Sequence, residues 1–182
     1  EIIKTIRKVT DKVIRVDANE GWKSKEQALD KILWLEEQGV EFIEQPMPAH
    51  DLDGTAWLRE QVHIPLIADE NVTTLFDVPQ LQDAFDGINI KLMKSTGLRE
   101  AMRMIHTAKA MKMKIMLGCM IESSVAISAA AQLSPMVDYA DLDGNVLITN
   151  DPFKGVTLCE GKLMLNDEPG LGVVSKSAVT GH

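Results

Sequence analysis

Residues 24–44 read SKEQALDKILWLEEQGVEFIE, and this stretch decides the fold. Ser24 followed three places later by Gln27 is a capping-box pattern at a helix start. Leu29, Ile32, Leu33 and Leu35 supply an apolar face, and Gly39 stands where a left-handed residue after the helix belongs. Val40 to Glu44 then reads as a short strand that ends on an acid. The alternation continues in both directions. Upstream, the end of a helix (Glu1 to Lys12) leads into a strand, Lys12 to Asp17, with Val13, Arg15 and Asp17 on one face. Downstream come a Pro-containing loop and a helix near Thr55 to Gln61, then a strand, Pro65 to Asp69, and a helix through Leu81. A strand from Gly87 to Lys91 precedes a helix from Leu98 to Met111. A strand from Lys114 to Met120 precedes a small-residue helix from Ser123 to Leu133, and the last strand runs from Val137 to Asp143.

Strand alternating with helix implies parallel strands joined by crossovers. A closed (β/α)8 barrel takes about 250 residues, and this chain has 182. The expected fold is therefore α/β, a partial TIM-type barrel two units short of closure. Residues 1–152 are read as its catalytic portion and 153–182 as a C-terminal hairpin and tail. The hairpin, Val156 to Leu165, turns at Glu160-Gly161. Ser175 to His182 are expected to be flexible.

Bulk properties narrow the function classes. The net charge of −8 and the lack of a basic stripe argue against nucleic acid. The longest apolar stretch, Ile115 to Ile121, falls far short of the ~20 residues that span a bilayer. Cys119 and Cys159 have no CxxC partners, so a disulfide framework or zinc site is not expected, and a reducing cytoplasm is the default location. A small-molecule substrate is the expected partner, and homo-oligomerisation is compatible with the sequence.

Charged residues close successive strands at Asp17, Glu44, Asp69 and Lys91, followed by Asp141 and Asp143. In a parallel barrel these ends converge on one face, where active sites are built. Three converging carboxylates are costly to bury without a cation. Their hard oxygens suit Mg2+ with room for water and substrate. Spacing alone leaves the alternative, three unrelated loop acids or salt bridges, equally open.

The flanking residues add to this. Arg15-Val16-Asp17-Ala18-Asn19, Ile43-Glu44-Gln45-Pro46, Ala68-Asp69-Glu70 and Asn89-Ile90-Lys91-Leu92-Met93-Lys94 resemble the third to sixth barrel strands of the enolase superfamily, muconate-lactonizing subgroup. The resemblance implies that Asp17, Glu44 and Asp69 bind Mg2+ and that Lys91 is an acid/base on one face of the substrate, a pairing known for such sites. Asn19 and Glu70 are expected either to orient these groups or to serve simply in turns, and Lys94, three residues past Lys91 and beyond the strand end, is read as a supporting structural residue rather than the base. Gly118 to Ser123 and Asp141-Leu142-Asp143 narrow the resemblance to dipeptide epimerases of the L-Ala-D/L-Glu type, met in cell-wall peptide recycling. That branch implies a substrate ammonium held by Asp141 and Asp143, with Cys119 and Ile121 lining the substrate, and α-proton transfer through an enediolate. Arg15 is expected inside the barrel, away from substrate. The family's second acid/base, a KxK motif, and its capping domain find no match in this chain, so it is expected to be a fragment of a longer polypeptide or to have the missing part supplied by another chain. Rival readings are a muconate cycloisomerase, an o-succinylbenzoate synthase, an N-acylamino acid racemase, a Schiff-base aldolase using Lys91, or an inactive fragment.

Overall fold

The computed structural model describes residues 1–176. Six strands form one parallel sheet in strict chain order: β1 (Ile14–Asp17), β2 (Val40–Glu44), β3 (Leu66–Ala68), β4 (Gly87–Lys91), β5 (Lys114–Gly118) and β6 (Tyr139–Ala140). The crossovers carry helices α2 (Lys25–Glu37), α3 (Leu52–Gln61), α4 (Leu98–Ala110) and α5 (Ser124–Ala131), while α1 (Ile2–Arg7) precedes the sheet. This is the curled partial barrel that the alternation implied.

The main core lies between sheet and helices. Ile32, Leu58, Leu66, Ile88, Ile90, Met104 and Ile105 are fully buried there. A smaller cluster of Phe42, Ile67 and Met116, with Tyr139 packed against it, fills the inner face of the sheet. The β1–β2 register slips between Ile14↔Val40 and Val16↔Ile43, so two residues of β2 oppose Arg15. The Arg15 guanidinium pairs with Glu41 at 2.6 Å and stacks 5.4 Å from the Phe42 ring and 5.0 Å from the Tyr139 ring. Tyr139 belongs to the opposite edge strand, so this contact across the interior reflects the curl of the sheet. Arg15 thus lies over the inner-face rings of the sheet, with 40% of its side chain exposed.

Several boundaries differ from the sequence reading, each for a local reason. The Ser24 hydroxyl accepts from Gln27 N, but the Gln27 amide oxygen returns to Lys23 N, one residue before the cap. Leu33 faces solvent at 42% exposure, while Ala28, Ile32 and Leu35 bury the helix. Helix α3 starts at Leu52, before Thr55, because the Asp51 carboxylate accepts from Gly54 N and caps it. No α-helix forms ahead of Leu81 in the third crossover. The Asp77 carboxylate gathers Thr73 N and Thr74 N into a turn, and only a 3-10 turn, Val78–Leu81, follows with Pro79 in its first turn. Strand β6 spans two residues instead of Val137 to Asp143, although Asp141 N still donates to Leu117 O at 2.9 Å.

The C-terminal segment packs back on α5. Strand β7 (Phe153–Lys154) pairs with β10 (Val174–Ser175), and β8 (Thr157–Cys159) forms the expected hairpin with β9 (Lys162–Met164). Glu160 and Gly161 at its turn have φ of 49° and 76°, as a two-residue hairpin loop requires. The expectation of flexibility falls mostly on residues 177–182, outside the described ones; Ser175 itself is paired in β10. Asp151 fastens this segment. Its buried carboxylate accepts from Ser124 N at 2.7 Å, Ser124 Oγ at 2.5 Å and Phe153 N at 3.0 Å. Burial pushes the Asp151 carboxyl up, but these donors outweigh it and hold it below the usual range. A folded-state pKa below the unfolded value contributes stability that is present above the unfolded pKa and lost as pH falls through the folded one. Asp151→Ala should therefore lower stability by about 1–3 kcal/mol at neutral pH. Thermal melts should show the gap between parent and variant closing below about pH 4.

Candidate metal and proton-transfer site

Asp17, Glu44 and Asp69 end or follow three adjacent strands, β1, β2 and β3, with Lys91 ending β4. Because the sheet is parallel and sequential, these ends share one mouth. One carboxylate oxygen from each acid lies within 4.8 Å of the others. Glu44 and Asp69 are each 4% exposed. The Lys91 ammonium donates to Asp69 Oδ2 at 2.6 Å, and Lys94 donates to Asp69 O at 2.6 Å and to Asp69 Oδ1.

The electrostatics reflect surplus negative charge. Burial pushes Glu44 up to about 7, aided by the charges of Asp17 and Asp69 and opposed by a hydrogen bond from Asn89. Burial and Asp69 likewise raise Asp17 against the Asn19 amide, which donates to Asp17 Oδ1 at 2.8 Å. Burial alone would lower the Lys91 ammonium, yet its bond to Asp69 and the fields of Asp69, Glu44 and Asp17 hold it above its ordinary value. Lys94, with Lys91 as a like-charged neighbour, is lowered by burial. Three crowded carboxylates, with Asp17 and Glu44 raised by burial and by neighbouring charge, are the donor set a hard divalent cation relieves. The three residues fit such an ion.

Neighbours that the sequence reading passed over complete the arrangement. Asn89 is 1% exposed and donates from Nδ2 to Glu44 Oε1 at 2.6 Å. It stands two residues before Lys91, so strand alternation could have flagged it. Gly118 leaves it room, since a Cβ there would come within 2.6 Å of Asn89 Oδ1. Gln45 and Asn71 link the strand ends through their amides. Their pairing is far apart in sequence and left no local signal. Of the expected orienting residues, Asn19 and Lys94 touch triad members. Glu70 follows Asp69, but its buried Oε2 has no partner among the described residues.

Asp141 and Asp143 lie just beyond β6, with Leu142 between them turned into the core. Burial and the Asp143 charge raise Asp141, while Arg15 and Lys91 lower it, which places it in the field of both cations. Asp143 precedes a 3-10 turn, Gly144–Leu147. Gly144 packs on the loop after β5, where an added Cβ would meet Met120 O at 2.2 Å and Cys119 Sγ at 3.2 Å. Cys119 is half-buried, and burial raises its thiol above the ordinary value, so it is protonated at neutral pH. Ile121 is 70% exposed. A cavity of about 630 Å3 lies beside the pair, between it and Leu158 and Leu163 of the hairpin, and is not lined by the triad or Lys91. No helix among the described residues is long and apolar enough to cross a membrane.

Residues 1–179 match the family described as enolase C-terminal domain-like. The chain is 58% identical over 174 residues to the L-Ala-D/L-Glu epimerase of Bacteroides thetaiotaomicron, covering 96% of this chain and 45% of that protein. A dipeptide epimerase from Cytophaga hutchinsonii, solved with Mg and the dipeptide D-Ala-L-Val, superposes with a TM-score of 0.89 at 30% identity, over 96% of this chain and 50% of that one. An N-succinyl Arg/Lys racemase from Bacillus cereus superposes with a TM-score of 0.91 at 32% identity, over 97% and 49%. The chain thus spans about half the length of the relatives it matches.

The geometry carries a direct test of the cation. Adding Mg2+ to the full-length protein should raise its melting temperature, since an ion at about 100 times its Kd stabilises by about 2.7 kcal/mol. Glu44→Gln, which keeps the shape and removes one charge, should abolish most of that gain in a differential scanning measurement.

Proposed function

The chain belongs to the enolase C-terminal domain-like family, and from that premise we propose that it carries one side of a Mg2+-dependent dipeptide epimerase site. The observation that carries this reading is the convergence of Asp17, Glu44 and Asp69 with the Lys91 ammonium in contact with one of them. The reaction is removal and return of the proton on the carbon next to a dipeptide's terminal carboxylate, through an enediolate. The kinship with proteins named as epimerases supports the reaction class.

Asp17, Glu44 and Asp69 would hold the Mg2+. Bound there, it supplies positive charge that stabilises the negative charge developing on the substrate carboxylate. Lys91 exchanges the proton on one face of the substrate and must be neutral to accept it. In the field of the three acids alone its ammonium is favoured; neutralising those acids frees it for base chemistry. Asn89 donates to the Glu44 carboxylate and Lys94 to the Asp69 carboxylate, so neither turns freely. Epimerisation needs a second acid/base on the opposite face. We place that group in the half of the relatives' length that this chain does not match.

Asp141 and Asp143 are assigned to the free ammonium of the dipeptide, with Cys119 and Ile121 beside it. The likeness to an N-succinyl amino acid racemase favours a second reading, an acylated substrate. The two carboxylates weigh against it, because they would repel an anionic acyl group and attract an ammonium.

Two measurements separate these readings. In D2O with Mg2+ and L-Ala-L-Glu, the full-length protein should incorporate deuterium at the glutamyl α-carbon, followed by NMR. Lys91→Ala should slow exchange from one epimer by about 10²–10⁴-fold, and retained exchange from both epimers would move the base elsewhere. Replacing Asp141 and Asp143 together by Asn should weaken transition-state binding of free dipeptides by about 2–4 kcal/mol, read from kcat/KM, while N-acetyl dipeptides lose much less. Unchanged kcat/KM for free dipeptides would favour the acylated substrate.

A further inference from the structure

Gln45 follows Glu44 directly and is completely buried. Its φ of 34° lies in the left-handed region, which side-chain-bearing residues seldom adopt. Such a conformation persists only where the surroundings over-determine it, and here they do. The side-chain oxygen accepts from Asp69 N at 2.9 Å and Asn71 N at 3.4 Å. The side-chain nitrogen donates to Asn71 Oδ1 at 2.6 Å and Met47 O at 2.9 Å. An amide side chain offers two donors and two acceptor sites, so its capacity is fully used. The backbone is equally committed: Gln45 N donates to Ile67 O, and Gln45 O accepts from Glu20 N, both at 2.9 Å.

These bonds reach the segments after β1, β2 and β3, the three strands that present the acids. Two further bonds close the set on one residue, Ala49. Ala49 N donates to Glu20 Oε1 at 2.6 Å, and Asn71 Nδ2 donates to Ala49 O at 2.8 Å. Simple packing would be met by an apolar residue at position 45. An amide whose four bonds tie Glu44 to the start of the Asp69 loop does something more specific.

We propose that Gln45, oriented by Asn71, is a positioning residue that fixes the spacing of Asp17, Glu44 and Asp69 and thereby sets their affinity for a divalent cation. The proposal rests on the metal reading of the triad. Gln45 touches neither the cation nor the substrate; it acts through the backbone on which the ligands stand.

The test uses Mn2+ binding by calorimetry and amide hydrogen exchange in the full-length protein. Gln45→Met should weaken Mn2+ by about 10–100-fold, the range found when groups supporting metal ligands are removed, and speed exchange at Asp69 N and Asn71 N. Ser128→Ala is the control, removing a buried hydroxyl on α5 that accepts from Val156 N of the C-terminal segment and touches none of the three acids. It should lower the melting temperature and leave the Mn2+ affinity unchanged. Should Gln45→Met fail to fold, Asn71→Ala is read in the same assays and should weaken Mn2+ in the same direction. A folded variant with unchanged Mn2+ affinity and unchanged Asp69 protection overturns the role of Gln45 alone. A parent protein that binds no Mn2+ overturns the metal reading itself.

Discussion

Everything at the mouth of this sheet answers one constraint: three carboxylates held within 4.8 Å of one another at the ends of adjacent strands. Parallel strands in sequential order leave no choice about where those ends meet. Two of the three acids are almost fully buried, so water cannot screen their repulsion well. The chain's own response is partial. Lys91 and Lys94 both turn to Asp69, and Asn89 donates to Glu44. Glu44 is still pushed up to about 7. On the proposed reading, the remaining imbalance is what a bound divalent cation would relieve.

The layer beneath the acids is arranged by different forces. Phe42, Ile67 and Met116 pack across the inner face, and Arg15 lies over the Phe42 and Tyr139 rings. A guanidinium is weakly hydrated and stacks on aromatic faces, so it tolerates this position better than a lysine would. Arg15 stands two residues before Asp17 on β1, so the two share a face of that strand, and Tyr139 stands two residues before Asp141, which lies just past the end of β6. The stack thus joins the two edge strands that lead to Asp17 and to Asp141.

Much of this was legible in the sequence because it is local. Apolar runs ended by a charge gave the strands, and the capping and glycine signals gave α2. The acids and Lys91 were visible because parallel topology turns position along the chain into position around a ring. What escaped depends on side-chain caps a few residues away or on partners distant in the chain. Whether Val78 to Leu81 extends a helix is decided by the Asp77 carboxylate drawing Thr73 and Thr74 into a turn. The start of α3 is decided by Asp51. Gln45 with Asn71, and Ser124 with Asp151, are joined across more than twenty residues, and no period or motif marks such pairs. The unpartnered Glu70 oxygen has no physical account in these contacts.

On the proposed reading, the second acidic pair raises a question that the first does not. Asp141 and Asp143 add negative charge to a mouth that already has a surplus. Burial and mutual repulsion raise Asp141, and Arg15 and Lys91 relieve it from inside the sheet. Those two cations cannot satisfy both carboxylate groups, since Lys91 already pairs with Asp69 and Arg15 with Glu41. A substrate that is itself charged at both ends resolves the conflict. Its ammonium supplies the charge missing at Asp141 and Asp143, and its carboxylate requires positive charge at the triad. The ammonium would meet unbalanced carboxylates directly, whereas the carboxylate would reach the triad only through a cation that the three acids hold.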